Sequence, residues 1–349
     1  MSVSILLTFD VEDWFQVENL KKCIPFSSWP SCELRVEKNV HKILNLLDSI
    51  KLAKPTNLTN PNRLMNHQSS VFDAENGPQP SIVLPRDFSL ATDKKGPSLA
   101  QPSAPCGPLR STFFVLGWVA ERLPGLIREI QARGHEVASH GYRHQLCEGQ
   151  SADDLKNDLV KSKKLLEEVT GNPVYGYRAP SFSINHDILK IIKDAGYFYD
   201  SSFNAFKLNR RYGQISLTDN GNNGINHQIF DNFYELPISN LKIGNRVVPW
   251  GGGGYFRLIP FLLFKRGVER ILRKHGAYLF YLHPWEIDYD QPRVAELPLI
   301  SKFRHYANLD RTYSKLSLVL NCFKEYNFTT LIQYINRQTV QTQGSQQTS

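Results

Sequence analysis

The chain reads as an α/β protein in which parallel strands are joined by crossover helices. Two observations predict this. Short apolar runs alternate with amphipathic windows along most of the 349 residues, and polar residues recur where the apolar runs end. Such alternation returns each strand through a helix to lie parallel to the last. A closed barrel and a doubly wound open sheet both satisfy the pattern. In either, functional residues collect at the carboxyl ends of the strands.

Val3 to Phe9 is an apolar run ending in acids, as in a buried strand. A helix is expected from about Ser31, because Val36, Val40, Ile43, Leu44 and Leu47 share one helical face. The period then stops. Residues 52–109 hold nine of the 20 prolines among many Asn, Ser and Gln, and read as one disordered insertion in a surface connection. Order resumes with a strand over Ser111–Leu116, a helix over Pro124–Arg133 stopped by Gly134, and a strand over His135–Ser139. Ser151-Ala-Asp-Asp154 opens a capped helix that ends at Gly171. Val174–Tyr177 is strand-like, Asn185 caps a helix over His186–Ala195 stopped by Gly196, and Tyr197–Tyr199 is another strand. Val247–Gly254 reads as a short strand running into four glycines. A helix over Phe261–Lys274, a strand over Tyr278–Leu282, a helix over Thr312–Tyr326 and a final strand and short helix complete the chain. The expected organisation is one domain over 1–337, interrupted by 52–109, with a Gln/Ser/Thr-rich unstructured tail over 338–349.

Bulk composition narrows the class. Hydrophobic residues make up 41%, enough for a sizeable core. The formal net charge of +8 reads first as a solvated basic surface, with at most a mild attraction to an anionic membrane surface or an acidic polymer. No Lys/Arg run or nucleic-acid motif occurs, so nucleic acid is not expected as a partner. Five cysteines, an odd number without CxxC spacing, read as reduced thiols. Ile5-Leu6-Leu7 is too short for a signal-peptide core, and no stretch is apolar enough to span a bilayer. These features predict a cytoplasmic protein with at most peripheral association with the inner membrane face.

Five polar groups sit at expected strand ends. Thr8-Phe-Asp-Val-Glu-Asp13 places three acids after an apolar run, which is costly unless they are paired or bind a cation. Asp10 and Glu12 share a face of an extended chain, whereas Asp13 points elsewhere. His140 and His144 are four apart, so one helical turn would align both imidazoles, the commonest ligands of zinc-type metals. Two His and one carboxylate form a facial set with positions left open for water and substrate. Tyr177-Arg-Ala-Pro-Ser181 offers an Arg suited to holding a carboxylate. Asp200 in Tyr199-Asp-Ser-Ser202 and His283 in Tyr281-Leu-His-Pro-Trp285 end two further strands. Each group alone also fits a structural role: a turn, a cap or a satisfied core residue. Together they could supply a metal site, a base, an acid and two orienting groups.

These segments resemble the polysaccharide deacetylase family, the NodB homology domain or carbohydrate esterase family 4. The resemblance rests on TFDVED, His140 and His144, Arg178-Ala-Pro180, Asp200 and Leu282-His283-Pro284, in the family's order. It spans Ser4 to about Thr330 without the insertion. The strings DVEDWFQVENL, TFFVLGWVAER, GHEVASHGYRH, YGYRAPSFSI and YLHPWEID resemble more closely a subgroup linked to exopolysaccharide loci that carry an exosortase. The resemblance implies a distorted (β/α)7 barrel and one divalent metal, zinc-like. It implies Asp10 as catalytic base, His140 and His144 as metal ligands, Arg178 as the residue orienting the base, Asp200 as the group tuning the catalytic His, and His283 as general acid. Val11 separates the two acids that are adjacent in the family's motif, so the third ligand is read as Glu12, with Asp13 the alternative.

The resemblance further implies removal of N-acetyl groups from amino sugars of an exopolysaccharide or its lipid-linked precursor. Pro180, Ser181 and Phe182 are candidate substrate contacts. Trp14, Trp250, Tyr255 and Trp285 are candidate walls of a sugar groove, since pyranose faces stack on aromatic rings. Two other readings are the same machinery acting on a small amide and a non-catalytic glycan-binding module.

Overall fold

The computed structural model describes residues 3–50, 109–206, 212–217 and 224–346, with side chains to residue 339. The expected insertion therefore lies outside the described residues, except for Leu109, which is buried in the core in the irregular segment before the next strand.

Strand β1 (Ser4–Val11) is buried along its whole length, as a central parallel strand requires. Helix α1 (Val36–Ser49) follows and starts with its apolar face, five residues later than the expected start at about Ser31, because Phe26–Ser31 forms a 3-10 turn. Next come β2 (Thr112–Val115), a short α2 (Gly117–Arg122) that periodicity did not reveal, α3 (Pro124–Ala132) and β3 (Glu136–Ser139). Helix α4 (Ala152–Thr170) is opened by Ser151, whose Oγ accepts from Asp154 N–H, and is stopped by Gly171 at φ 69. Two-residue strands β4 (Gly176–Tyr177) and β5 (Tyr199–Asp200) flank α5 (His186–Asp194), which is capped by Asn185 as expected.

The chain then departs from simple alternation. Strands β6 (His227–Phe230) and β7 (Phe233–Glu235) pair antiparallel, and β8 (Asn240–Ile243) and β9 (Arg246–Pro249) form a separate hairpin. The four glycines do not extend the strand; Gly253 and Gly254 begin α6 (Gly253–Leu258). Helix α7 (Phe261–His275), β10 (Ala277–Leu282), α8 (Leu299–Tyr306), α9 (Leu309–Cys322), β11 (Asn327–Phe328) and α10 (Leu331–Gln346) complete the fold. The tail expected to lose order at Gln338 instead continues α10 to Gln346. Glutamine is a good helix former, and buried Leu331, Tyr334 and Ile335 anchor the first turns.

Seven strands run parallel in the order β10-β1-β2-β3-β4-β5-β7, with β6 added antiparallel and β11 pairing β1 beside β2. The sheet curls into a barrel that irregular chain completes. Residues 236–239 lead from β7 to the free edge of β10, where Ser239 N–H donates to Leu279 O (3.3 Å). Tyr281 N–H on the same edge donates to Gly251 O (2.8 Å). Leu6, Phe114, Ala138, Tyr199, Leu236 and Leu279 fill the interior, while a larger apolar layer packs the helices outside. This is the distorted (β/α)7 barrel that the sequence implied. Among the described residues no helix is long and apolar enough to cross a membrane.

Buried carboxylates anchor two helices to the sheet. Asp13 Oδ2 accepts from the N–H groups of Arg35 (2.7 Å) and Val36 (2.9 Å), capping α1 from outside its own sequence. Its Oδ1 accepts from Trp14 N–H (2.8 Å), and burial pushes the carboxyl up to about 6 against these three donors. At the opposite end of the barrel, Glu136 Oε2 accepts from Ile332 N–H (3.2 Å) and Thr112 Oγ1 from Leu331 N–H (3.0 Å), so β2 and β3 cap α10. Asp13→Ala strands the buried amides of α1 and is expected to cost about 2–3 kcal/mol in urea unfolding. A loss below about 0.5 kcal/mol would show that the cap does not hold the helix.

Candidate active site

The polar groups expected at strand ends do converge, at the carboxyl end of the barrel. Asp10 lies in the last turn of β1 and Glu12 just beyond it, with Glu12 N–H donating to Asp10 O (2.9 Å). Both side chains are buried, and they reach the same space. Asp10 Oδ2 is 3.9 Å and Glu12 Oε1 3.7 Å from His283 Nε2. Asp13, the alternative ligand, spends both oxygens on backbone amides as described above.

His140 and His144 meet without a helix. They lie on the loop after β3, which reverses through Gly141 at φ 73 and His144 at φ 51. A left-handed conformation is strained for a residue with a Cβ and is a feature of functional sites. Neighbours hold the loop in place. Gly117 and Trp118 N–H, at the start of α2, donate to Gly141 O (2.8 Å) and Tyr142 O (3.2 Å), and Asp158 on α4 accepts from Tyr142 N–H (2.9 Å). The result sets His140 Nε2 2.9 Å and His144 Nε2 3.0 Å from Glu12 Oε1. One donor atom from each of the three residues lies within 4.8 Å of the others, all buried. His140 Nδ1 donates to Arg178 O (2.7 Å), which leaves its Nε2 lone pair facing the cluster. Burial pushes the Glu12 carboxyl up, but the neighbouring His144, His283 and His140 outweigh it and hold it well below the usual carboxylate range. An anionic oxygen and two imidazole nitrogens are a donor set that fits a zinc-type ion.

Arg178, at the end of β4, is fully buried. Its Nη1 donates to Asp10 Oδ1 (2.7 Å) and Thr8 Oγ1 (2.8 Å), Nε to Ser201 O (2.9 Å) and Nη2 to Ser201 Oγ (2.9 Å). Its guanidinium carbon is 4.0 Å from the centre of the Phe114 ring. Asp10 is thus oriented by a cation that cannot rotate away.

The partner of His283 is not Asp200. Asp200 turns to Ser202, accepting from its N–H and Oγ (2.9 Å each), and to Glu235. Burial pushes the Asp200 carboxyl up to about 6 and that of Glu235 well above its ordinary value, with the Asp200 charge adding to the rise at Glu235. In the sheet order β5 stands four strands from β1 and five from β10, which linear sequence does not disclose. Glu286, three residues after His283, occupies the place beside the imidazole that was expected of Asp200. Its Oε1 is 2.8 Å from His283 Nδ1 and accepts from His283 N–H (3.2 Å), while Oε2 accepts from Arg257 Nε (2.8 Å). The fit depends on Gly253, where a Cβ would come within 2.1 Å of Glu286 Oε1. Burial lowers the His283 pKa, but Glu12, Glu286 and Asp10 prevail and push it up to about 9. The signal for Glu286 was present in His-Pro-Trp-Glu, whose spacing is that of a capping box.

Of the candidate substrate residues, Pro180, Ser181 and Phe182 form a 3-10 turn beside Arg178, with Ser181 at φ 52 and Phe182 at φ 60. Phe182 packs edge-on against Tyr281, ring centres 4.8 Å apart. Trp250 is buried, donates Nε1–H to Phe264 O (3.0 Å) and stacks on that ring, so it is core and not a groove wall. Trp285 is also buried and lies between His283 (5.3 Å) and His305 (4.4 Å), a support for the His283 ring in place of a sugar platform. Trp14 is buried with Nε1–H donated to Glu33 O, and only Tyr255 of that aromatic set is exposed.

Comparison with known proteins agrees with this geometry. Residues 108–199 match the polysaccharide deacetylase family model, and residues 201–336 match a domain of unknown function, DUF3473. The chain is 33% identical over 87 residues, 25% of its length, to a peptidoglycan-N-acetylglucosamine deacetylase of Bacillus cereus, covering 40% of that protein. It is 33% identical over 94 residues, 27% of its length, to a peptidoglycan deacetylase-like protein of Gibberella zeae, covering 28% of that one. The chain thus spans less than half the length of these relatives. Its fold is similar to the crystal structure of a Mycobacterium smegmatis protein described as a candidate polysaccharide deacetylase (TM-score 0.54, 17% identity, 98% of this chain and 92% of that one). A polysaccharide deacetylase domain is therefore supported by a family match and by curated relatives.

The buried pair of Arg178 and Asp10 makes a test of the geometry independent of activity. Arg178→Met leaves Asp10 buried without its cation and is expected to lower unfolding free energy by about 3–5 kcal/mol. Chemical denaturation that finds wild-type stability would rule out this account of the site's scaffold.

Proposed function

We propose that the chain is a metal-dependent N-deacetylase of amino-sugar polymers. The observation that carries this reading is the convergence of Glu12, His140 and His144 next to Asp10 and His283, at the carboxyl end of a deacetylase-type barrel. Glu12, His140 and His144 would hold the metal, and one carboxylate with two imidazoles suits Zn2+. When bound, the ion supplies Lewis acidity toward an acetamide carbonyl and a water.

The chain's own groups supply the proton transfers. Asp10, with Oδ1 held by Arg178, takes a proton from the attacking water through Oδ2. The developing oxyanion accepts from the backbone N–H of Ser181, in the strained turn beside the site. His283 donates from Nε2 to the departing amine, while Glu286 holds Nδ1 and fixes the ring. Asp10 Oδ2 and His283 Nε2 are 3.9 Å apart, so base and acid act on the same reacting centre. The roles of Asp10, Arg178 and His283 follow the family resemblance; that of Glu286 follows from this geometry.

The Bacillus cereus relative is named a peptidoglycan-N-acetylglucosamine deacetylase, which supports an N-acetylated glycan here. We assign the substrate to an exopolysaccharide or its lipid-linked precursor, by the resemblance to the exosortase-associated subgroup.

Purified protein is expected to carry about one zinc-type ion per chain, lost in His140→Ala, His144→Ala and Glu12→Gln as measured by atomic emission. Loss in Asp13→Asn but not in Glu12→Gln would move the third ligand. Chelation should abolish acetate release from N-acetylglucosamine oligomers, and Asp10→Asn should slow it by about a hundredfold to ten-thousandfold. Near-full activity of Asp10→Asn would refute the scheme. Glu286→Gln should lower kcat by about ten- to a hundredfold with KM little changed, whereas Asp200→Asn should leave kcat closer to wild type at equal folded fraction. The reverse ranking would restore Asp200 as the partner of His283.

A further inference from the structure

Helix α8 is amphipathic in the wrong sense for a helix of a soluble domain. Its buried residue is His305, which stacks on Trp285 with ring centres 4.4 Å apart. Its outward face carries Leu299, Ile300 and Phe303, which are 82, 69 and 61% exposed. Positions i, i+1 and i+4 project together from a helix, so the three form one apolar ridge. A second set lies nearby. Leu258 ends α6, and Leu262 and Leu263 open α7, all exposed. Arg257 ties the two regions by donating to the carbonyls of Arg304, His305 and Ala307 at the end of α8 (2.8–2.9 Å). Scattered exposed leucines need no explanation, but six large apolar side chains gathered on adjoining helices mark a surface that is covered in use.

The charges beside the ridge indicate what covers it. On α8, Lys302 and Arg304 flank Phe303. On α7, Arg266 and Arg270 follow Leu262 and Leu263 on the exposed side. Glu296 and Asp310 are the exposed acids at the ends of α8, and Asp310 is paired with Arg311. The whole chain carries +8. A second copy would bring these cations against their own images, whereas an anionic lipid surface offers opposite charge to the Lys and Arg and an acyl boundary to the ridge.

We infer that α8, with the adjoining ends of α6 and α7, docks the protein on an anionic bilayer, inserting Leu299, Ile300 and Phe303 below the headgroups. The ridge lies on the face of α8 opposite His305, which stacks on Trp285 beside His283. The inference stands apart from the deacetylation reading, because binding is read without turnover.

The test is flotation of the full chain with phosphatidylcholine vesicles, with and without phosphatidylglycerol. Binding is expected only with the anionic lipid and is expected to weaken as salt is raised. The combined variant L299S/I300S/F303S should bind at least about tenfold more weakly. Its metal content and its hydrolysis of soluble oligomers should match wild type, which separates loss of docking from loss of fold. No binding to anionic vesicles at low ionic strength, or equal binding by the variant, would overturn the inference. So would a wild-type dimer in sedimentation that the variant disperses, since the ridge would then belong to a second copy.

Discussion

A guanidinium enclosed by protein must find an acceptor for its N–H groups, because no water reaches it. Arg178 finds them on opposite walls of the barrel, and a belt of hydrogen bonds results. Phe280 O on β10 accepts from Thr8 Oγ1 (3.0 Å); Thr8 Oγ1 and Asp10 on β1 accept from Arg178 on β4; Ser201 accepts from Arg178 and donates Oγ–H to Leu236 O (2.9 Å) just past β7. Phe114 of β2 supplies the face beneath the cation. The belt fixes how tightly the sheet can curl, and thereby how far Asp10 stands from His283. It also sets the tautomer of His140, since the carbonyl that takes its Nδ1 proton is Arg178's own.

The same economy appears where helices meet the sheet. No side chain immediately before α1 caps its first turn, and before α10 Thr330 Oγ1 accepts from Gln333 N–H alone (3.3 Å). Asp13 and Glu136 reach across from strand ends to supply acceptors, so each helix start is bonded to the barrel as it is capped. At α1 the link continues. Arg35 donates Nε to Asp288 Oδ2 (2.6 Å) and Asn39 donates to the same oxygen (3.1 Å), which ties the turn after His283 to the segment after Glu12. The segments that carry Asp10, Glu12 and His283 are thus braced on one helix end.

Most of the parallel framework was legible in the sequence, because buried strands and one-sided helices leave periodic traces and capping residues such as Ser151, Asn185 and Gly171 mark their limits. The site residues were legible as types: Asp10, Glu12, His140, His144, Arg178 and His283 do come together. What sequence could not give was the order of strands, and so Asp200 was matched to His283 although it faces Glu235. Periodicity also failed where a chain's environment inverts its meaning. The two hairpins are only partly buried, and α8 turns its apolar residues outward. Aromatic residues were ambiguous for the same reason: Trp250 and Trp285 have the chemistry of a sugar platform, and only packing shows them to be enclosed.

The site draws on three stretches: 10–12 near the amino terminus, 140–182 within the segment that matches the deacetylase model, and 253–286 within the segment that matches DUF3473. The two matched segments meet at residue 200, where β4, β5 and β7 are continuous and Arg178 is bonded to Ser201. The border is one of description and falls inside a single folded body. A gene fission at that border would part Arg178 from Ser201 and Asp10 from His283, so the three stretches form the site only as one body.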